Sequence, residues 1–492
     1  MSGLIHAPAS TPTAPAALNL RLATGMMGVL TAVLVAGVNE HVTEIGLTDI
    51  AGQMHLGHDD ATWMTALFEA FNITAMAFAP WFGATFSIRY LTMTMTAVAG
   101  LLGLAAPFMP DLVSLLLLRC VQGLACGCLP LTGMMFEGFG WRFLFWDIVP
   151  LCALAITAVG WGLPQDPLRL DRFRQFDWRG VVTGVPGIVM LVIALEQGDR
   201  LDWFRSPVIT HLVFGGGFLF TLFMINEWHH PLPFFRASLL KNRNVSASLI
   251  TLAGALVLAA VTTEIPFEYL TEVRHYRPIQ MLPMGLLLAV PQLLALPLSA
   301  ALLNIRTVDA RHVLAGALLV QGTSYYLCTW LDADWVRENF YPVMMLQVAS
   351  QPLMVLADLV IVTLGLGPAD GPFISGLFNV TKGLANAIAA ALVDVVMRRR
   401  EQYHSTMLLD HYGEQGAALN GMDEPATTLL GPHTVDPDAL GGTGLHLFHE
   451  ALSRQATILA CVDIYIIMIG VCAVLAVVNL VLPRRVYPPR AA

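Results

Sequence analysis

The sequence predicts an all-α, polytopic membrane protein, and three observations carry that expectation. Of its 492 residues 56% are hydrophobic and only 12% are charged, whereas a soluble globular chain carries about 25% charged residues. The mean hydropathy is positive. Apolar runs also recur along the whole length, each near the ~20 residues that one bilayer crossing takes.

On that ruler spans fall at 22–44, 61–83, 91–109, 112–135, 142–163, 180–197, 207–227, 246–268, 279–302, 311–330, 341–365, 371–396 and 456–482, thirteen in all. Lys and Arg in short loops mark the cytoplasmic side. Arg169, Arg172, Arg174 and Arg179 place 164–179 inside; Arg236, Lys241 and Arg243 do the same for 228–245, and Arg484, Arg485 and Arg490 for the tail. Alternation then puts 303–310 inside, and 198–206, 269–278, 331–340 and 397–455 outside. The expected organisation is a cytoplasmic tail over 1–21, an N-terminal helical bundle over 22–163, and a linker with two extra spanning helices over 164–245. A C-terminal bundle over 246–483 and a second tail over 484–492 complete it.

Composition also excludes several function classes. The formal charge of −9 is diffuse, Lys241 and Lys382 are the only lysines, and no basic run with interleaved aromatics suggests a nucleic-acid partner. All seven cysteines lie in apolar segments, where thiols behave as small hydrophobes; neither a disulfide framework nor a zinc pattern is readable. The polar stretch 397–455 reads as an extracytoplasmic loop with room for short amphipathic helices near Tyr403–Tyr412 and Leu445–Arg454. Its histidines, His404, His411, His433, His446 and His449, lack the accompanying acids or cysteines of a metal site. No nucleophile, cofactor loop or metal set points to an enzyme, and no cofactor is expected.

Polar residues inside the spans are the candidate functional groups, because an ionisable side chain at membrane depth is costly and usually faces a cavity or a partner. Asn39, Glu40 and Glu44 occupy the first span, with Glu40 and Glu44 at i,i+4 on one face. Two acids so placed raise each other's pKa, which suits proton carriage. Glu69 and Asn72 share a face of the second span. In the fourth, Arg119, Gln122, Gly123 and Cys126 follow the i, i+3, i+4, i+7 rule and form one stripe, with Gly123 and Gly127 allowing close helix approach. Arg119 is thereby expected to face the interior and a carboxylate of the first or second span. Glu264 and Glu268, Asp358, and the stripe Asn379, Lys382, Gly383 and Asn386 interrupt later spans; Asp394 and Asp463, near segment ends, read as structural. Prolines inside spans, Pro80, Pro266, Pro283, Pro291 and Pro297 among them, bend helices where neighbours satisfy the freed carbonyls.

Several strings resemble one family. ATWMTALFEAFNITAMAFAPWFGATFSIRY from Ala61 is similar to the second span and following loop of the fourteen-helix drug/proton antiporter branch of the major facilitator superfamily, the EmrB type. LLLLRCVQGLACG matches its fourth-span Arg-x-x-Gln-Gly signature, GWRFLFWDIVP from Gly140 its entry to the sixth span, and YLTEVRHYRPIQMLPMGLLLAVPQ and NIRTVDARHVLAGALL follow in order. The resemblance covers about 22–483. It implies two six-helix bundles with two extra helices between them and alternating access across a central cavity. It further implies proton-coupled efflux of small amphipathic compounds from the inner membrane, with a periplasmic adaptor and outer-membrane channel as partners beside the bilayer and protons. The residues expected to carry coupling or substrate are Glu40, Glu44, Glu69, Arg119, Gln122 and Lys382, with Asn39, Asn72, Glu264, Glu268, Asn379 and Asp358 behind them.

The chain departs from that family in three places. Asn39 stands where the family carries an aspartate and Glu44 where it often has asparagine. GATFSIRYLT keeps only Gly83 and Arg89 of the family's Gly-x-x-x-Asp-Arg-x-Gly-Arg loop. Gly123 and Gly140 are separated by sixteen residues, too few for the end of one span and a further crossing, so the family's fifth helix is expected to be absent. Two other functions therefore remain open: a proton symporter importing a small metabolite or iron chelate, and a deletion variant that sits in the membrane without transporting.

Overall fold

The computed structural model describes residues 57–128, 148–163, 165, 167–234, 236–305, 307–363, 371–414 and 437–481, together with helical residues between 20 and 36. Among the described residues the secondary structure is entirely helical. After the partial helix α1 between 20 and 36 come α2 His58–Phe86, α3 Ile88–Ala105, α4 Leu112–Gly127 and α5 Ile148–Gly162. These are followed by α6 Trp178–Gly198, α7 Pro207–His229, α8 Arg243–Glu272, α9 Pro278–Leu303, α10 Ala310–Cys328, α11 Arg337–Thr363, α12 Gly371–Glu414 and α13 Pro437–Val481. Among the described residues eight helical stretches are long and apolar enough to cross a membrane: those in α3, α6, α7, α8, α9, α11, α12 and α13. Leu112–Gly127 and Pro150–Gly162 are apolar but shorter. The chain is an integral multi-pass membrane protein.

It divides into two compact units, Met1–Phe176 and Asp177–Ala492. In the first, α2 packs on α4 and α3 on α5. Glycines bring backbones together: a Cβ on Gly123 would fall on the Phe68 carbonyl, and one on Gly127 on the Asn72 carbonyl. Gly28 meets α5 in the same way, where a Cβ would come within 2.6 Å of the Val159 nitrogen. Such small residues let apolar helices associate where lipid removes the hydrophobic drive. The end of α2 is sealed by aromatic rings: Trp81 packs edge-on against Phe173 and Phe176 at 5.3 and 5.1 Å. Arg172 stacks over the same indole. Burial, and then the neighbouring Arg169, pull the Arg172 guanidinium below its ordinary pKa.

In the second unit α6 and α7 form a hairpin. Asp177 caps α6 by accepting from the Gly180 nitrogen at 2.8 Å, and its other oxygen accepts from Asn226 of α7. At the far end, Arg398 of α12 pairs with Asp199 at 2.9 Å and Asp202 at 3.1 Å, so the turn between α6 and α7 is tied to α12. The core is built where α8, α10, α11 and α13 meet, around Leu258, Ile265, Leu314, Leu318, Ile361 and Ile464.

The polar stretch 397–455 is not a loop at its two ends. Helix α12 continues unbroken to Glu414, and α13 begins at Pro437, so the short helices expected there are extensions of the spans. Two cross-links explain the correction. Asp463 of α13 accepts from Arg400 Nε and from His404 Nε2, both at 2.6 Å, and Glu401 accepts from Ser453 at 3.2 Å. The pairs bind the polar extensions to each other, which removes the need for an apolar face. The sixteen residues between Gly123 and Gly140 lie largely outside the described residues, as does the question of a fifth helix.

Candidate functional site

Arg119 is fully buried in α4. The stripe read from helical spacing is real in space: Arg119, Gln122, Gly123 and Cys126 are all buried on the face that meets α2. Glycine at 123 and 127 draws that face so close that the Arg119 guanidinium sits over the Phe68 ring, 4.0 Å from its centre. Its Nη1 donates to Gln122 Oε1 at 3.1 Å. A guanidinium over an aromatic face is stabilised by the ring's quadrupole, by ~2 kcal/mol or more when desolvated, which helps offset the cost of the charge at depth. Glu69 follows Phe68 in the chain and is half-buried, and Asn72 is buried one turn on. Asn39, Glu40 and Glu44 lie outside the described residues.

Among the described residues of the second unit, three polar groupings bring together candidate or buried polar residues within the helices. The first is neutral and fully buried. Ser350 of α11 donates to Gln321 Oε1 of α10 at 2.5 Å. Gln321 Nε2 donates to Thr262 of α8 at 3.1 Å and to Tyr325 at 2.8 Å. The hydroxyls of Thr262 and Tyr325 both donate to the Leu258 carbonyl. Every hydrogen of the Gln321 amide is thus used, as a buried amide requires.

The second grouping is acidic. Glu264, Glu268 and Glu272 recur at i,i+4 on α8, and Asp394 and Glu401 of α12 share the surroundings of Glu268. Glu264 and Glu268 are half-buried. The third lies where α8 begins and α11 ends: Asp358 is buried against Ser248, and one turn along α8 Thr251 accepts from Asn479 of α13 at 3.1 Å. On α12, Asn379 and Lys382 are half-buried and Asn386 is exposed, with Gly383 buried between them; the polar stripe therefore reaches the surface of the unit. A recess of about 530 Å³ between α9 and α11 is lined by Ala300, Ala301, Leu303, Asn304, Leu356, Leu359 and Val360 and includes none of the candidate residues.

Sequence spacing therefore found the Arg119 stripe and the α8 acids. It missed Phe68, which nothing but its position beside Glu69 distinguishes, and the Gln321 network, whose one visible signal is Gln321 and Tyr325 at i,i+4 in an apolar helix. It also missed the pairing of His404 with Asp463. Among the described residues no group of three or more His, Cys, Asp or Glu is arranged to hold a metal.

The chain is similar to curated transporters. It is 21% identical to the multidrug export protein EmrB of Escherichia coli strain K12 over 418 residues, which covers 75% of this chain and 79% of that protein. It is 22% identical to the fatty acid resistance protein FarB of Neisseria gonorrhoeae over 484 residues, 88% of this chain and 91% of that one. A bacterial homologue of the human lysosomal transporter Spinster, solved inward-facing and occupied, superposes with a TM-score of 0.46 at 12% identity, covering 94% of this chain and 96% of that chain. No family model matches the chain.

Proposed function

We propose that this multi-pass membrane protein, a relative of EmrB and FarB, is an efflux transporter of the fourteen-helix drug/proton antiporter branch of the major facilitator superfamily, working from the inner membrane. The observation that carries the reading is similarity to a named multidrug export protein and to a named fatty acid resistance protein over three quarters or more of the chain. Its substrates are small amphipathic toxic compounds, drug-like or fatty-acid-like, matching what those relatives are named for. Protons drive exchange, and a periplasmic adaptor with an outer-membrane channel completes the path in a double-membraned bacterium.

Within that reading, Arg119 is a fixed positive charge set on Phe68 and held by Gln122, and the half-buried Glu69 follows Phe68 in the chain. A carboxylate near a permanent cation is favoured in its charged form, whereas one facing apolar surroundings is favoured neutral. Glu69, Glu40 and Glu44 are thus proposed to exchange protons for substrate as their distance from Arg119 changes during alternating access. Lys382, Asn379, Glu264 and Glu268 offer the corresponding polar surface on the second unit.

The test is growth of a pump-deficient host on dyes, detergents and medium-chain fatty acids. Expression of the chain should raise tolerance, and Glu69→Gln should abolish that gain at equal membrane abundance. Tolerance that is unchanged by expression, or fully retained by Glu69→Gln, would overturn the reading or the residue's role respectively. A second reading rests on the short interval between Gly123 and Gly140: a deletion variant that does not transport. Reporters fused to the 164–179 loop and to the C-terminus separate the two: eight helices lie between them, so both report the same side, and a loop reporting outside would make transport by the family's geometry untenable.

A further inference from the structure

We propose that Asp358 and Ser248 form a proton-binding site in the second unit, at the end where α8 begins and α11 ends. The argument is a count of hydrogens. Ser248 Oγ lies 2.9 Å from the Asp358 backbone carbonyl and 2.5 Å from Asp358 Oδ1. A serine hydroxyl has one hydrogen to give, and a carbonyl can only accept. Given to the carbonyl, that hydrogen leaves the 2.5 Å approach to be bridged by one from the carboxyl. Given to Oδ1, it leaves the carbonyl only the weaker share of a three-centre bond. Both contacts are satisfied when Asp358 carries a proton on Oδ1 and donates it to Ser248.

The other carboxyl oxygen points the same way. Asp358 is 2% exposed, and its Oδ2 has no hydrogen-bond partner among the described residues. An ionised carboxylate would leave a charged oxygen unsolvated there, whereas a neutral acid leaves only a carbonyl-like one, a far smaller penalty. Cations do not rescue the charge. Helix α11 packs against α8, α9, α10 and α12, and among the described residues Asp358 contacts Ser248 and forms no ion pair. At this end Arg243 donates to the Val481 carbonyl at 2.9 Å, and Arg311 is paired with Asp309 at 3.0 Å. Arg236 and Lys241 lie over the rings of Phe373 and Trp228. The α8 acids begin at Glu264, sixteen residues from Ser248, or about 24 Å along the helix.

The site binds one proton while α8 and α11 are packed, and gives it up when their separation lets water reach the carboxylate. Its part in coupling rests on the proton-driven export proposed above; the protonation does not. The experiment is therefore a pH-difference infrared titration of the purified full chain in lipid vesicles, with wild type, Asp358→Asn and Ser248→Ala. Asparagine keeps the shape and can donate to Ser248, so packing is preserved while the proton is lost. Wild type should show a neutral-carboxyl stretching band that disappears as the pH is raised; Asp358→Asn should lack that one band, and Ser248→Ala should shift its frequency and midpoint. A band unchanged in Asp358→Asn, or no difference between the two proteins at any pH, overturns the proposal. Export measured in the same vesicles reports separately, so loss of export with the band intact would count against the transport reading alone.

Discussion

The first unit buries a permanent cation and the second buries neutral amides, hydroxyls and an aspartic acid, and the two solve the problem of polarity at membrane depth differently. In the first, Gly123 and Gly127 let α4 approach α2 until backbone meets backbone, and Arg119 is held by an aromatic face and the Gln122 amide. In the second, α8, α10 and α11 are joined by a closed chain of hydrogen bonds through Gln321, with no net charge to compensate. A fixed charge cannot be switched off, so what moves around Arg119 must be the other partner. A neutral network tolerates separation of its helices only at the cost of the bonds between them.

The comparison breaks most readily at the glycines. Gly127→Val should disrupt the first unit most of all, because its Cβ would meet the Asn72 carbonyl with no room to shift. The expected cost lies at or above the ~1–3 kcal/mol of ordinary overpacking, read as loss of folded protein in a detergent thermal melt. Arg119→Leu should leave most protein folded but cut export about 10-fold or more, in line with the ~1.5–3 kcal/mol of a hydrogen bond to a charged group. Arg119→Lys should recover only part, since an ammonium does not keep the guanidinium's fork; vesicle transport rates check both.

Gln321→Leu tests the second unit. It leaves Tyr325, Thr262 and Ser350 to find new partners and should lower stability by about 1–3 kcal/mol, again by thermal melt, with export of the surviving protein close to normal. The smallest effect belongs to Arg398→Ala. Its pairs with Asp199 and Asp202 are partly solvated, with the Asp202 side chain 58% exposed, and such pairs contribute roughly 0–1 kcal/mol; raised salt should mimic the substitution.

How legible each unit was in the sequence follows the same division. The Arg119 stripe could be read because four residues obey one helical period and an arginine in an apolar run is conspicuous. The α8 acids were legible for the same reason. Asp358 was visible as an acid in a span, but Ser248 lies 110 residues away, and serines in spanning helices carry no signal of their own. His404 and Asp463, 59 residues apart, pair only because α12 and α13 run on past the apolar segments, and hydropathy cannot see a helix held by ion pairs. Phe68 carries no signal of its own in the sequence; the close approach at Gly123 is what puts Arg119 over it.

The central claim is that this chain exports small amphipathic compounds in exchange for protons. Its most direct test is substrate movement in proteoliposomes of known orientation, with a labelled amphipathic dye or fatty acid and an imposed pH gradient. The account predicts substrate flux opposite to the proton gradient, abolished by a protonophore and by Glu69→Gln. Flux in the same direction as protons, or flux indifferent to the gradient and to Glu69, would contradict it.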